Sequence, residues 1–190
     1  MRRKFNYGVL TILIAVACGM VFFKQLSNQN LFNLYGNIPE RTINGEYYRL
    51  ITCGFLHASF GHIAANMIML FSIGPIIESE GKIKYIITYI FSMLAGSGLS
   101  LIYNIQQGRM AILSVGASGA IFGLIGAAFA YSKINKGVGR YNRLGEWVIE
   151  VVILNVIAAF TMPNIDFMAH VGGFIGGFLI TLLLNLGGRK

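Results

Sequence analysis

The chain has 190 residues, 55% hydrophobic and 12% charged, which excludes an ordinary water-soluble domain and points to a bilayer. Its formal net charge of +8 does not imply a nucleic-acid partner, because the basic residues fall in caps and loops between apolar runs. Cys18 and Cys53 are too few for a disulfide framework and receive no role, and neither a metal nor a cofactor is expected.

Six apolar runs approach the ~17 to 25 residues that a spanning helix needs. They lie at about Tyr7 to Phe23, His62 to Ile77, Tyr85 to Tyr103, Leu113 to Tyr131, Trp147 to Met162 and Phe167 to Leu186. The expected fold is therefore an all-α polytopic membrane protein, with residues 1–190 forming one membrane domain. Eleven of the fifteen Lys and Arg side chains flank these runs on one side: Arg2, Arg3, Lys4, Lys82, Lys84, Lys133, Lys136, Arg140, Arg143, Arg189 and Lys190. The other side holds only Lys24, Arg41, Arg49 and Arg109, so the positive-inside rule places both termini in the cytoplasm.

In chain order, Met1 to Met20 resembles a secretory signal, with Ala15-Val16-Ala17-Cys18 close to a lipoprotein cleavage site. The apolar run continues through Phe23, which favours a retained first span. Lys24 to Gly61 is the only long connection. It is external on the charge count, and Phe32, Leu34, Tyr35, Ile38, Tyr47 and Tyr48 among Arg41, Glu46 and Arg49 suit a segment lying in the interface. A loop so long and apolar is expected to form short structured elements.

The second span opens on His62-Ile63-Ala64-Ala65-Asn66, whose spacing puts His62 and Asn66 on one helical face. The third carries Gly96-Ser97-Gly98 and nothing ionisable, and reads as scaffold. The fourth begins with Ser114-Val115-Gly116-Ala117-Ser118-Gly119, which sets a hydroxyl among glycines at the head of an apolar run. Alone, Ser118 would be read as bonding back to a carbonyl one turn earlier or as a helix-packing serine. Gly119, Gly123 and Ala127 follow at the spacing that lets membrane helices approach closely, as do Gly172 with Gly176 and Gly173 with Gly177 in the sixth span. The fifth span contains Glu150 and Asn155. Glu150 is expected one turn from the cytoplasmic end, within reach of water and away from the other polar residues. The sixth places His170 near its start, on the face that bears Gly173 and Gly177.

Spans two, four and six run in the same direction, so His62, Ser118 and His170 are expected at one shallow depth below the outer surface. A nucleophile, a base and oxyanion donors are the parts of an acyl-transfer site. Ser118 would attack, His170 would carry the proton, and the Ser118 N–H with the His62 and Asn66 side chains would hold the oxyanion.

Gly116-Ala117-Ser118-Gly119, Ala169-His170-Val171-Gly172-Gly173 and His62-Ile63-Ala64-Ala65-Asn66 together resemble the motifs of the rhomboid intramembrane serine proteases. Gly45-Glu46-Tyr47-Tyr48-Arg49-Leu50 and Phe55-Leu56-His57 are similar to that family's first external loop. The resemblance implies a six-helix bundle with a long external first loop, and a Ser118–His170 dyad without a required acid. It also implies an oxyanion hole from His62 and Asn66, support by Gly116, Gly119 and Gly173, and single-span membrane proteins as substrates within the lipid bilayer. His57 is implied to fix the loop. Tyr48 stands where the family usually has tryptophan. Phe122 stands where it often has a tyrosine that stacks on the histidine, so the stacking surface is kept and the hydroxyl lost.

Asp166, four residues before His170, is read as a solvated turn aspartate in preference to a third triad member. Other classes fit less well. Axial haem ligation by His62 and His170 leaves Ser118 and Asn66 unexplained, and a transporter would place polar groups near the midplane with repeat symmetry. A soluble α/β hydrolase fails because Ala120 stands where its Gly-x-Ser-x-Gly pattern needs glycine. The nearest alternative is a catalytically weak relative that only binds membrane helices. The expected location is the plasma (inner) membrane.

Overall fold

The computed structural model describes residues 8–161 and 165–186. Its helices among these are α1 (Val9–Ser27), α2 (Asn30–Tyr35), α3 (Pro39–Ile43), α4 (Arg49–Thr52), α5 (Phe60–Glu78), α6 (Lys82–Gln106), α7 (Ser118–Ile134), α8 (Gly139–Thr161) and α9 (Phe167–Asn185). One 3-10 turn, Cys53–Phe55, separates α4 from α5. Tyr7, Met162, Pro163 and the basic residues expected at the two termini lie outside the described residues.

The long helices follow the apolar runs, because a backbone in hydrocarbon must satisfy its own N–H and C=O groups and a helix does so locally. Four of them, α1, α5, α6 and α9, are long and apolar enough to cross a membrane, and α7 is an apolar helix of 17 residues. Outward-facing Leu13, Phe23, Ile68, Leu154 and Leu183 are exposed, as lipid-facing side chains are.

Two helix boundaries differ from expectation. α7 begins at Ser118 and not Leu113, because Ser114 is drawn into an antiparallel bridge with Asn37 and Gly116 takes φ +126°. α8 begins eight residues before Trp147, in a segment carrying Arg140, Arg143 and Glu146 that hydropathy does not mark as helical. Glu150 is thereby an exposed residue well inside α8, not one turn from its end.

α7 occupies the centre, since twelve of its 17 residues are buried against three of 19 in α1. Its neighbours approach through glycine. A Cβ on Gly173 would overlap the Gly119 carbonyl, and one on Gly177 the Gly123 carbonyl, so α7 and α9 run parallel in backbone contact. α6 runs antiparallel to both, with Gly96 against Gly119 and Ala169, and Ser92 against Gly123. Without a hydrophobic drive between helices in lipid, such close packing is what holds them together.

Glu78, buried at the end of α5, ties α1 to the bundle. Its carboxylate accepts from Leu10 N (3.1 Å), Thr11 N (3.0 Å) and the Thr11 hydroxyl (3.0 Å), with the Tyr85 hydroxyl 3.1 Å from Thr11 Oγ1. The N–H groups at the start of a helix have no partner within it, and here Glu78 supplies one. Glu78→Ala leaves two backbone donors unpaired and takes from the Thr11 hydroxyl one of its two neighbours, the other being Tyr85. It is expected to destabilise the protein by about 2 to 4 kcal/mol, read as a lower midpoint of thermal unfolding in detergent. An unchanged midpoint would show the contact to be inert.

Candidate active site

The connection from α1 to α5 forms short helices, as expected, and it packs over the start of α7. Its anchor is Arg49, whose side chain is 1% exposed. The guanidinium donates from Nη1 to the Gly36 carbonyl (2.7 Å) and from Nε to Glu46 Oε2 (2.8 Å). Pairing of this kind is what permits a charge to be buried. The Tyr48 hydroxyl also donates to Glu46 Oε2 (2.7 Å) and lies 3.2 Å from the Leu34 carbonyl. The hydrogen bonds from Tyr48 and Arg49 hold the Glu46 carboxyl below the usual carboxylate range.

The loop is joined to the nucleophile segment at the backbone. Asn37 and Ser114 exchange two hydrogen bonds (3.1 and 2.9 Å), and Gly116 N donates to the Cys53 carbonyl (2.9 Å). Gly116 is needed here twice. Its positive φ disfavours a side chain, and a Cβ would come within 2.7 Å of His62 Cε1, 2.8 Å of His62 Nε2 and 3.8 Å of Asn66 Nδ2. The side chains of His62 and Asn66 therefore face the backbone two residues before Ser118.

His62 is capped into place by Ser59, whose hydroxyl accepts from His62 N (3.1 Å). Its Nδ1 accepts from Ala58 N (3.4 Å), which leaves Nε2 to carry the ring hydrogen and face Gly116 as a donor. Asn66 Nδ2 donates one hydrogen to the His62 carbonyl (3.1 Å) and keeps a second. His57 sits behind, fully buried. Its N–H donates to Gln25 Oε1 (3.2 Å), its carbonyl accepts from Gln25 Nε2 (3.0 Å), and its ring meets that of His62 edge-on at 5.2 Å. Burial pushes the His57 pKa down to about 4, so it is neutral at physiological pH.

Ser118 is the first residue of α7, half-buried, where the backbone N–H groups of the opening turn have no helical partner. It borders a cavity of about 20 Å³ lined also by Asn37, Ser97, Ser114 and Asp166. That is room for about one water among polar groups. Ser97 thus gives α6, otherwise a scaffold helix, a polar place in the site.

His170 lies in the first turn of α9, 9% exposed. Its ring stacks on Phe122 with centroids 4.2 Å apart and planes 8° from parallel. Beside it, the Ala169 carbonyl would be 3.4 Å from a Cβ on Gly119, so the residues next to His170 and Ser118 touch. No hydrogen bond joins Ser118 to His170; bonds of this type are commonly long before substrate binds and tighten in the substrate complex. His170 Nδ1 instead lies 3.0 Å from Asn155 Nδ2 and 3.2 Å from Asn155 Oδ1.

Asp166 is neither a solvated turn residue nor bonded through its carboxylate to the His170 ring, although its backbone carbonyl accepts from His170 N (3.3 Å). It caps α9 by accepting from Ala169 N (3.0 Å), and it accepts from the Ser100 hydroxyl (2.5 Å). Asn155 and Gln25 escape a reading of the sequence because their partners lie 15 and 32 residues away. Among the described residues no group of three or more His, Cys, Asp and Glu side chains converges as a metal would require.

Residues 44–186 match the Rhomboid domain family. RHOMBOID-like protein 5 of Arabidopsis thaliana is 39% identical over 155 residues, covering 80% of this chain and 48% of that protein. Rhomboid protease GluP of Bacillus subtilis (strain 168) is 34% identical over 143 residues, covering 75% of this chain and 27% of that protein. A second rhomboid protein of the same strain, YdcA, is 32% identical over 183 residues, covering 93% of this chain and 88% of that protein. The chain thus spans about half the length of the first relative, about a quarter of the second and most of the third.

Proposed function

The chain belongs to the rhomboid family, and from that premise we propose that it is an intramembrane serine endopeptidase acting on single-span membrane proteins near the external membrane face. The observation that carries this reading is the His170 ring lying flat on Phe122, one helical turn from Ser118, where α7 and α9 touch through glycine.

In the proposed reaction Ser118 Oγ attacks the scissile carbonyl and its proton passes to His170 Nε2. Negative charge grows on the carbonyl oxygen. The Ser118 N–H, His62 Nε2–H and the second Asn66 N–H donate to it, and such prealigned donors act chiefly in the transition state. His170 then gives the proton to the leaving amine, and water admitted from the polar cavity beside Ser118 hydrolyses the acyl-enzyme. The charge asymmetry of the loops supports an outward-opening site, cytoplasmic termini and a plasma-membrane setting.

A substrate helix in hydrocarbon has its carbonyls bonded, so it must unwind before Ser118 can reach one. Unwinding is easiest near the outer interface and at Gly or Pro. Glycine-packed backbones beside Ser118 leave little room, so a small residue should precede the cut. The test is incubation of the protein in detergent with a panel of single-span substrates, with products mapped by mass spectrometry. Cleavage is expected near the external end, after Ala, Gly or Ser, with helix breakers just downstream. Cutting at the cytoplasmic end, or after bulky residues in Leu-rich helices, would refute the topology. Binding of the panel without any cleavage would favour a helix-binding role.

A further inference from the structure

The stack on Phe122 fixes the tilt of the His170 ring but not its rotation within its own plane, because a phenyl face offers nothing that distinguishes one ring edge from another. A base needs that distinction. A neutral imidazole carries one ring hydrogen, and His170 accepts a proton at Nε2 only if Nδ1 holds it.

The group against Nδ1 is the Asn155 side chain, reaching across from α8. Both amide atoms lie within hydrogen-bond distance, and the two orientations of the amide have opposite consequences. Donation by Nδ2 makes Nδ1 an acceptor, leaves the hydrogen on Nε2 and removes the base. Acceptance by Oδ1 puts the hydrogen on Nδ1 and leaves the Nε2 lone pair free.

We propose that Asn155 is a positioning residue for the proteolytic reaction, its Oδ1 accepting from His170 Nδ1–H and so fixing both the tautomer and the rotation of the base. The role rests on the Ser118–His170 reading above. It makes the arrangement a Ser-His-Asn relay drawn from α7, α9 and α8, in which the third group stays neutral. The Asp166 carboxylate does not take this place: it is held by Ala169 N and the Ser100 hydroxyl, and Nδ1 meets Asn155 instead. Asp166, from the cap of the same helix, and His62, from α5, are the titratable groups that act on His170, while α7 and α8 present Phe122 and Asn155.

The test compares the intact protein with Asn155→Leu and Asn155→Asp. Asn155→Leu removes the acceptor at similar volume. It is expected to lower kcat about 10- to 100-fold with KM changed less than about twofold, short of the ~10⁴-fold loss that follows from locking a wrong tautomer. Asn155→Asp keeps an acceptor and adds charge. It should retain activity within about tenfold and move the acid limb of the kcat/KM profile to higher pH, because a carboxylate at Nδ1 favours the protonated imidazole.

With three histidines in the chain, ¹⁵N-histidine spectra can be assigned by substitution, and the intact protein should show His170 as the Nδ1–H tautomer. An Nε2–H tautomer in the intact protein overturns the inference even if Asn155→Leu fails to fold. So does an Asn155→Leu protein with unchanged kcat, or Asn155→Leu and Asn155→Asp losing activity equally. Failure of the underlying reading looks different: the intact protein would neither cleave substrate nor react with a fluorophosphonate at Ser118, whatever the tautomer.

Discussion

Ser118→Ala and His170→Ala, each made in the intact chain, are expected to abolish substrate cleavage, with kcat falling on the order of 10⁴-fold or more. An unassisted serine hydroxyl is a weak nucleophile, and a histidine without its serine has nothing to deprotonate, so the two act as a unit. The double substitution should accordingly be no worse than either single one. Ser118 stands at the first position of α7, where alanine is compatible with the helix, and its loss should leave thermal unfolding almost unchanged. His170→Ala removes a buried ring from between Phe122 and Asn155. It is expected to cost some stability, so its activity is to be compared at a temperature where circular dichroism shows it folded. Substantial turnover by either folded variant would sink the dyad.

Gly177→Ala should have the largest effect on the fold, although it adds one methyl group. The added Cβ falls on the Gly123 carbonyl, and that oxygen belongs to the backbone of the central helix, which cannot move aside like a flexible side chain. Parting α7 from α9 would also loosen Gly173 from Gly119 and with it the approach of His170 to Ser118. A loss of about 3 kcal/mol or more is expected, seen as aggregation or a collapsed unfolding midpoint in detergent. Gly98→Ala is the control, because a Cβ there meets nothing within 4 Å. It should be neutral or stabilising by up to about 1 kcal/mol. Equal tolerance of the two would show that backbone contact between α7 and α9 does not hold the bundle.

The apolar runs and their small-residue spacings were legible because they report local demands: a helix in lipid satisfies its own backbone, and glycine marks where another backbone must come close. His62 with Asn66 was legible for the same reason, since a spacing of four means a shared face whatever the rest of the chain does. The first two turns of α8 were not, because Arg140, Arg143 and Glu146 make a helical segment look like a loop to any reading based on hydropathy. The burial of Arg49 was not legible either, because the Gly36 carbonyl that accepts from its guanidinium is 13 residues away.

The sequence by itself determined a helical membrane protein, the place of His62, Ser118 and His170 near the starts of their helices, and Ser118 and His170 as the pair to test, because type and spacing along one helix decide those. Tertiary structure alone decided the partners. Asn155 and Asp166 are both polar residues near His170 in depth, and nothing local distinguishes them. Only the docking of α8 and α9 on the same central helix α7 brings the Asn155 amide to Nδ1, while the turn before α9 spends the Asp166 carboxylate on Ala169 N and Ser100. A hydrogen bond depends on direction within a few tenths of an ångström, and that information exists only once separate helices have docked.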